Sequence, residues 1–411
     1  MTVARQKLLT PDFAALLLIA YVSFAQYHVL QAVLPVLVIT QGGDVTIAGV
    51  VVAVHSLPSI LFRPPFGWLI DHVGIGIVLL VAGGLLAVSG FAYFLPGIGL
   101  LLLARFAHGT AWSGFSAAGH SALVALSPPY RRAEAAGFYN LMAGMAQSTM
   151  PAAAFALIGI SGFFGGLALS AACGVVASIF VVVLVRRALG LKRPARHSCG
   201  LPAASRPLRQ RVGEVLMEPA ALRPLAIEIA YSAIQPLFLA FAPVYALANG
   251  LSLELMPIYF LAYGATLIAA RLILGSHSDR RSRLMLIRSG VVLSLTALAS
   301  PVLWPGFGGL ILGGMLFAVA TTLVSPTTMA LTMDLAPSGR MGSAMATYTL
   351  GFPLATGGSA AIWGAIIQQA GYPAPFLVGA GLHLALLAVL VTAGPRLLRS
   401  VGSPPGGATA A

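Results

Sequence analysis

Apolar stretches of about 20 residues, the length of a helical bilayer crossing, recur from one end of the chain to the other. Soluble domains carry about 25% charged residues, so a chain with 58% hydrophobic and 8% charged residues cannot cover a water-facing surface. We therefore predict an all-α integral membrane protein with twelve transmembrane helices. Glycine, proline and charge divide the sequence into twelve runs, at 13–39, 47–70, 75–95, 98–126, 136–160, 163–185, 221–248, 253–275, 284–304, 306–334, 343–369 and 374–394.

Lysine and arginine lie almost entirely on one side of the predicted membrane. Nineteen of the 23 Lys and Arg residues fall in the two tails, the central linker or the other loops of that side, and the remaining four lie in or at the ends of helices. The loops of the opposite side carry none. Because positive charge marks the cytoplasmic side, we predict a multi-pass protein of a bacterial inner membrane, with both termini and the linker in the cytoplasm.

The predicted helices fall into two groups of six, separated by a basic segment rich in Pro, Ala and Ser. We predict an N-terminal six-helix bundle at 1–185, a cytoplasmic linker at 186–220, a C-terminal six-helix bundle at 221–394 and a cytoplasmic tail at 395–411.

Several classes of protein are excluded by the same sequence. The net charge of +13 is spread over loops and the linker, not gathered on a nucleic-acid-binding face. The two lysines lie outside any phosphate-binding loop, and two cysteines provide neither a disulfide framework nor a metal cluster. The segment Gly114-Phe-Ser116-Ala-Ala-Gly119 misses the spacing of a hydrolase nucleophile elbow. We expect a monomer in the lipid bilayer that is not an enzyme and has no cofactor or metal.

The two halves of the chain repeat each other at a fixed offset of 208 residues. Arg63, Gly67 and Asp71 at the end of the second run correspond to Arg271, Gly275 and Asp279 at the end of the eighth. Three further pairs of identical residues follow the same offset: Pro35 and Pro243, Pro129 and Pro337, and Arg132 and Arg340. Parallel repeats of this kind build secondary transporters, with the substrate path at the interface of the repeats.

At these residues the chain resembles the major facilitator superfamily. The family signature G-x-x-x-D-[RK]-x-G-[RK]-[RK] reads Gly67-Trp-Leu-Ile-Asp71-His72-Val-Gly74-Ile75-Gly76 in the first half, without its basic residues. The second copy, Gly275-Ser-His-Ser-Asp279-Arg280-Arg281-Ser-Arg283, keeps them. The resemblance implies the fold of that family and a gate on the cytoplasmic side, formed by Arg63, Gly67, Asp71, Gly74, Arg271, Gly275, Asp279 and Arg280. The alternative is that the two aspartates are solvated loop caps.

A second resemblance lies in the fourth run. Arg105-Phe-Ala-His108-Gly109 is similar to the R-F-x-[QH]-G pattern of proton-coupled drug exporters. It implies proton-coupled efflux of a small organic molecule, with Arg105 in coupling or substrate contact, or else in a structural hydrogen bond. The export signature of the fifth helix is absent, so uptake by proton symport is the alternative. A non-transporting receptor on the same fold is a third.

Glu228 is the one acid that lies well inside a predicted membrane helix, about 10 Å from its cytoplasmic end. A carboxyl at that depth can exchange a proton when its access to water changes. Tyr231, Ser232 and Gln235 follow on the same helix face. Glu228 is therefore a candidate to carry coupling protons or meet a cationic substrate, and the alternative is a permanently hydrogen-bonded structural carboxyl.

His28, in the first run, is a further proton-coupling candidate because histidine titrates near neutral pH, although a satisfied structural histidine is the alternative. His55, His120 and His383 are interpreted as structural. Polar and aromatic residues in the first, fourth, fifth, seventh and eighth runs are the candidates for lining a substrate cavity: Tyr21, Phe24, Gln31, His108, Asn140, Gln147, Tyr231, Gln235, Tyr259 and Tyr263.

Overall fold

The computed structural model describes residues 8–190, 218–278, 282–337 and 341–394, and these ranges contain helices and no strand. The predicted tail at 395–411 and most of the predicted linker lie outside the described residues. Seven helices form the first half: α1 (Pro11–Thr40), α2 (Val45–Leu61), α3 (Arg63–Val73), α4 (Ile75–Ala92), α5 (Ile98–Leu126), α6 (Arg132–Ser161) and α7 (Phe163–Leu184). A π-helical turn, Val185–Leu189, carries the sixth span past its predicted end at 185.

Nine helices form the second half, because its first span consists of three pieces and its fifth of two. They are α8 (Leu222–Ser232), α9 (Gln235–Leu239), α10 (Ala242–Ala248), α11 (Met256–Ser278), α12 (Arg283–Leu303), α13 (Phe307–Leu335), α14 (Met341–Thr349), α15 (Gly351–Ala370) and α16 (Pro373–Thr392).

The number of membrane crossings agrees with the twelve predicted spans. Nine described helices are long and apolar enough to cross a bilayer, and two bent pairs raise the number to eleven. The twelfth span is α5, which has 29 residues. Its mean hydropathy is lowered by Arg105, His108, Ser113 and Ser116, all of which are buried inside the protein.

Three spans predicted as single helices are broken, and proline accounts for each break. The second span bends by 43° between α2 and α3, where Pro64 and Pro65 follow the first residue of α3. The seventh span bends by 45° before α10, and Pro236 and Pro243 lie in the first turns of α9 and α10. The eleventh breaks at Leu350, close before Pro353. Proline has no N–H to donate to the preceding turn and its ring clashes with that turn.

The two ends of the helical bundle are named here by the central linker. The linker side is the end at which Gly190 and Glu218 lie, and the far side is the opposite end, where the loop after α1 and the loop after α15 lie. Spans with odd numbers run from the linker side to the far side, and spans with even numbers run back.

On the far side, the two halves are joined by a seam of small residues between α2 and α15. A methyl group added to Gly49 would collide with the carbonyl oxygen of Ala360, and one added to Gly357 would collide with the side chain of Ser56. A second contact joins α6 to α11, where the rings of Phe155 and Phe260 stack with centroids 5.9 Å apart. Small residues allow helix backbones to approach closely in a membrane, so the far half of the interface between the halves is closed.

Candidate functional site: a central cavity between the two halves

A cavity of about 580 Å³ lies between the two halves. Its wall comes from the first, second, fourth, fifth, seventh, eighth, tenth and eleventh spans, while α4, α7, α12 and α16 contribute no lining residue among those described. Most lining residues lie in the linker-side half of their spans, including 321–329 in the tenth and 348–353 in the eleventh. Because the far half is closed by the seam, the cavity opens toward the linker side.

Glu228 lies on the cavity wall and is held by hydroxyl groups from two spans. Its Oε1 accepts hydrogen bonds from Ser232 Oγ and Ser325 Oγ, both at 2.9 Å, and its Oε2 accepts one from Thr328 Oγ1 at 2.7 Å. The hydroxyl of Tyr348, in α14, lies 2.9 Å from Thr328 Oγ1. Glu228 is only 4% exposed, and no described Lys or Arg lies within salt-bridge distance of it. Neutral donors therefore hold this carboxyl, and it remains in contact with the cavity.

The break between α8 and α9 places Gln235 on the same wall. Pro236 cannot donate to the preceding turn, and the amide of Leu237 bonds Ile234 O instead of the Ala233 carbonyl. Trp363 Nε1, in α15, donates to Ala233 O at 2.6 Å and satisfies the group that the break leaves without a helical partner. The position of the broken seventh span is thus fixed by a side chain of the eleventh.

The wall of the first half is aromatic. Trp112 stacks on Tyr27 with ring centroids 5.2 Å apart, and Phe24 meets Trp112 edge-on at 5.0 Å. His28 and His55 flank this group, each with its ring about 5 Å from that of Tyr27. The cavity thus has an aromatic wall in the first half and a wall of hydroxyl groups around one carboxyl in the second.

Two arginines related by the sequence repeat reach across the gap between the halves. Arg63 Nη1 donates to Thr349 O and Thr349 Oγ1, both at 3.2 Å, and Arg271 Nη1 lies 3.5 Å from Asn140 O. Thr349 O is the carbonyl that Pro353 leaves without a helical donor, so the break in the eleventh span creates the acceptor that Arg63 uses. Both arginines line the cavity on its linker side.

Arg105 lies away from the cavity, packed inside the first half. It is 1% exposed, and its Nε donates to Val51 O of α2 at 3.1 Å. His108, one turn along α5, has its Nδ1 3.1 Å from the hydroxyl of Tyr93. In this conformation, Arg105 ties α5 to α2 by a backbone hydrogen bond, and its Nη1 is buried without a hydrogen-bond partner among the described residues.

Other cavity candidates divide between the wall and the packed interior. Tyr21 bonds Thr149 and Tyr259 bonds Phe238 O, at 2.9 and 2.7 Å. Gln31, Tyr259 and Tyr263 are almost fully buried. The candidates on the wall are Phe24, His28, Arg63, Asn140, Gln147, Glu228, Tyr231, Gln235 and Arg271. Those outside it are Tyr21, Gln31, Arg105, His108, Tyr259 and Tyr263.

Several lining residues are missing from the candidates drawn from sequence. His55, interpreted there as structural, lines the cavity, as do Trp112 and Tyr348. Thr321 and Ser325 of α13 also line it, and with the buried Thr328 they stand at positions i, i+4 and i+7, which place all three on one helix face. That stripe was a usable signal, because it mirrors the stripe that begins at Glu228.

The predicted gate residues are spread along the linker side. Asp71 is exposed, and no hydrogen bond or ion pair of its side chain occurs within the described ranges. A methyl group at Gly67 would meet no atom within 4 Å, so this glycine is not at a close helix contact in a structure open on this side. Gly74 has φ of 99° where α3 turns into α4, a conformation that favours glycine. Gly275 lies in α11, whereas Asp279 and Arg280 lie outside the described residues.

Residues with metal-binding side chains do not cluster anywhere in the described part of the chain. Within those ranges the cavity offers hydroxyl, amide, guanidinium and aromatic groups to a ligand, and a single carboxyl. Such a wall binds and orients a molecule and can exchange a proton with it.

Comparison with known proteins agrees with this architecture. Residues 16–345 match the family model of the Major Facilitator Superfamily. A variant of the nucleoside transporter NupG superposes with a TM-score of 0.71 at 11% identity, over 92% of this chain and 99% of that one. A POT family transporter in complex with a thioalcohol-conjugated peptide gives 0.75 at 14% identity, over 94% and 96%.

A further POT structure, in complex with alafosfalin, gives a TM-score of 0.69 at 16% identity, over 95% of this chain and 96% of that one. No curated protein matches the sequence. The family model covers most of the chain, and the shared fold extends over nearly all of it. The chain belongs to the Major Facilitator Superfamily, and it is a multi-pass membrane transporter, not an enzyme.

Proposed function

We propose that this protein is a proton-coupled secondary transporter of a small organic molecule, which works by alternating access with Glu228 as the proton carrier. The observation that carries the proposal is the position of Glu228, buried on the wall of a cavity between two repeats. A carboxyl there changes its contact with water when the halves rock about the cavity.

The contacts between the halves support alternating access. The far side is closed by close helix contacts at glycines, one to a backbone carbonyl and one to the Ser56 side chain, and by the stacked rings of Phe155 and Phe260. The linker side is bridged by the hydrogen bonds of Arg63 and Arg271, which are half-buried. We further propose that the linker side is cytoplasmic, in a bacterial inner membrane, so that this conformation faces inward.

The direction of transport has two candidates. The pattern Arg105-Phe-Ala-His108-Gly109 favours efflux by exchange for protons, in which substrate and proton alternate at Glu228. Uptake by symport is the second candidate, and the charge of the cavity favours it. Two guanidinium groups and one carboxyl face the cavity, so protonating Glu228 makes the wall more favourable for an anion.

The test is transport by the full chain reconstituted in liposomes, with a mixture of small metabolites and mass-spectrometric readout. We expect an imposed pH gradient to drive at least one compound across the membrane. Glu228→Gln should abolish this pH-driven flux but retain exchange of the same compound at equal pH, because glutamine keeps the shape of the site and cannot carry the proton.

The matched control is Glu254→Gln, which removes an exposed carboxyl within the far-side turn Leu253–Leu255. It should transport like the unchanged protein. If flux driven by a pH gradient persists in Glu228→Gln, the coupling proton is carried by another group.

A further inference from the structure

The cavity has an excess of positive charge. Its ionisable lining residues, besides tyrosines, are Arg63, Arg271, Glu228, His28 and His55. None of the ion pairs within the described ranges involves either arginine, and both guanidinium groups donate to neutral oxygens of Thr349 and Asn140. Neutral acceptors satisfy hydrogen bonds but do not cancel charge. Two fixed cations therefore face the cavity with a single carboxylate, and protonating that carboxylate increases the excess.

Both arginines retain donors for a ligand. A guanidinium has five N–H donors in a planar fork, and the described contacts of Arg63 and Arg271 use only Nη1. Their remaining nitrogens are not among the buried polar atoms that lack a partner. The geometry of the fork suits the two oxygens of a carboxylate or phosphate.

The aromatic wall provides a place for the rest of such a molecule. Trp112 is partly accessible on the cavity and packs against Tyr27 and Phe24, which also line it. A flat apolar group against these rings would be removed from water and gain aromatic contact. The cavity thus offers a cationic rim and an aromatic surface to the same ligand.

The carboxyl of Glu228 determines how such a ligand and a proton affect each other. The titratable groups around it are Tyr231 on its own helix, Tyr348 on α14, His383 on α16, and His28, His55, Arg63 and Arg271 on the cavity. From α13 it meets only the hydroxyls of Ser325 and Thr328. Glu228 is the one carboxylate among these groups, so its protonation removes the negative charge that would repel an anion.

We infer that the cavity binds a small organic anion with a flat apolar body, and that it binds this anion together with a proton on Glu228. The anionic group lies against Arg63 or Arg271, and the apolar body lies against Trp112. This inference rests on the proposed proton coupling at Glu228 and specifies its symport form, since exchange would require the substrate and the proton to compete.

Three probes with the same indole ring test the inference: indole-3-acetate, tryptamine and tryptophol, which carry an anionic, a cationic and a neutral group. Their affinities for the full chain in lipid nanodiscs would be measured by calorimetry at pH 6 and pH 8. We expect indole-3-acetate to bind at least tenfold more tightly than tryptamine, with tryptophol between them. Its affinity should rise as the pH falls, by at most tenfold per pH unit, because one proton is taken up with the anion.

Substitutions of the cavity residues test which side chains bind the anion and which one binds the proton. Arg63→Gln and Arg271→Gln, alone or together, should lower the affinity for indole-3-acetate by tenfold or more. The affinity for tryptophol should change by less than twofold. Glu228→Gln should bind indole-3-acetate more tightly than the unchanged protein does at pH 8, with no remaining pH dependence. The control Arg132→Gln removes an exposed arginine outside the cavity, at the start of α6, and should change nothing. Retained tryptophol binding shows that each variant is folded.

Three outcomes would overturn the inference: tighter binding of tryptamine than of indole-3-acetate, binding of none of the probes, or a pH dependence that persists in Glu228→Gln. These are binding measurements, and the proposed function is tested by flux. If the probes fail and pH-driven flux of another compound is still lost in Glu228→Gln, this inference is wrong and the proton-coupled function remains. If the probes behave as expected and no pH-driven flux occurs, the proposed function is wrong.

Discussion

At the scale of single residues, the hydrogen bond from Trp363 to Ala233 O fixes the broken seventh span. We expect Trp363→Phe to destabilise the protein by about 0.5–1.5 kcal/mol, because phenylalanine fills most of the space and leaves the partly buried Ala233 carbonyl without its indole donor. Thermal unfolding in detergent or nanodiscs measures this as a lower midpoint.

The exposed Trp304, on the far side, provides the matched control. It is 61% exposed, whereas Trp363 is 4% exposed, so Trp304→Phe should leave the unfolding midpoint unchanged. Equal midpoints for both variants would mean that water or another group satisfies Ala233 O as well as the indole does.

One difference between the repeats is also explained at this scale. Arg283 forms an ion pair with Asp334 at 2.6 Å, joining the start of α12 to the end of α13. At the offset of 208, the equivalent residues of the first half are Ile75 and Leu126. Both members of the pair are replaced by apolar residues, so the missing basic residue at Ile75 in the family signature is accompanied by the missing acid. The sequence shows the first loss, but the second is recognisable only when the structure identifies the partner.

At the scale of helices, the seam between α2 and α15 predicts a shift between conformations. Gly357→Leu would push against Ser56 in the closed far side, and overpacking of this kind costs typically about 1–3 kcal/mol. We expect the variant to favour the conformation that is open on the far side and closed on the linker side, by roughly 5- to 150-fold. Distance spectroscopy between labels on the two halves would measure the populations.

Gly358, the next residue along α15, is the matched control. A methyl group there meets no atom within 4 Å, so Gly358→Leu has the same effect on helix propensity without the collision. It should leave the populations unchanged. The seam would not be the closing contact if both variants shifted them equally.

The helices themselves show what the sequence can and cannot predict. Apolar runs and charge located all twelve spans, since a bilayer crossing leaves a long, continuous signal. The prolines of the second, seventh and eleventh spans are visible in the sequence, but a proline can be accommodated in a membrane helix when neighbours satisfy the freed groups. Whether it breaks the helix depends on partners such as Trp363 and Arg63, and these lie far away along the chain.

The cavity was predicted less completely than the helices, for a related reason. Glu228 and its stripe were recognisable because an acid inside an apolar run is rare. Tyr21 and Tyr259 lie in equally suitable runs, yet their hydroxyls bond neighbours inside their own halves. Which face of a membrane helix meets the other half is decided by the packing of several helices, and hydropathy does not record it.

At the scale of the whole molecule, the distribution of Lys and Arg predicts which side faces the cytoplasm. Single cysteines near Asp44, Asn249 or Gly371, on the far side, should react in intact cells with a thiol reagent that does not cross the membrane. Cysteines near Ser205 or Ser282 should not. The reverse labelling pattern would place the linker outside.

If Asp71 and Asp279 form the gate that the family resemblance implies, we expect an asymmetry between the halves. Asp279 has Arg280, Arg281 and Arg283 near it in the sequence, whereas Asp71 has no basic residue in the equivalent positions. Charge-assisted hydrogen bonds are about twice as strong as neutral ones, so Asp279→Asn should favour the inward-facing state more than Asp71→Asn does. A difference of about 1.4 kcal/mol would change the ratio of states tenfold.

Distance spectroscopy between labels on the two halves would measure the ratio of states in each variant and in the unchanged protein. Equal shifts, or a larger shift for Asp71→Asn, would show that the aspartates act through helix geometry without help from arginine.

The division of the spans between cavity and periphery has an evolutionary consequence. Because α4, α7, α12 and α16 contribute no described residue to the cavity wall, substitutions on them can adapt the protein to a membrane of different thickness or lipid composition without touching the ligand. On the other eight spans, substitutions at cavity-facing positions can change the ligand site while the lipid-facing surface stays the same. Two selective pressures therefore act on largely separate sets of positions, and a lineage can acquire a new substrate without having to acquire a new membrane environment.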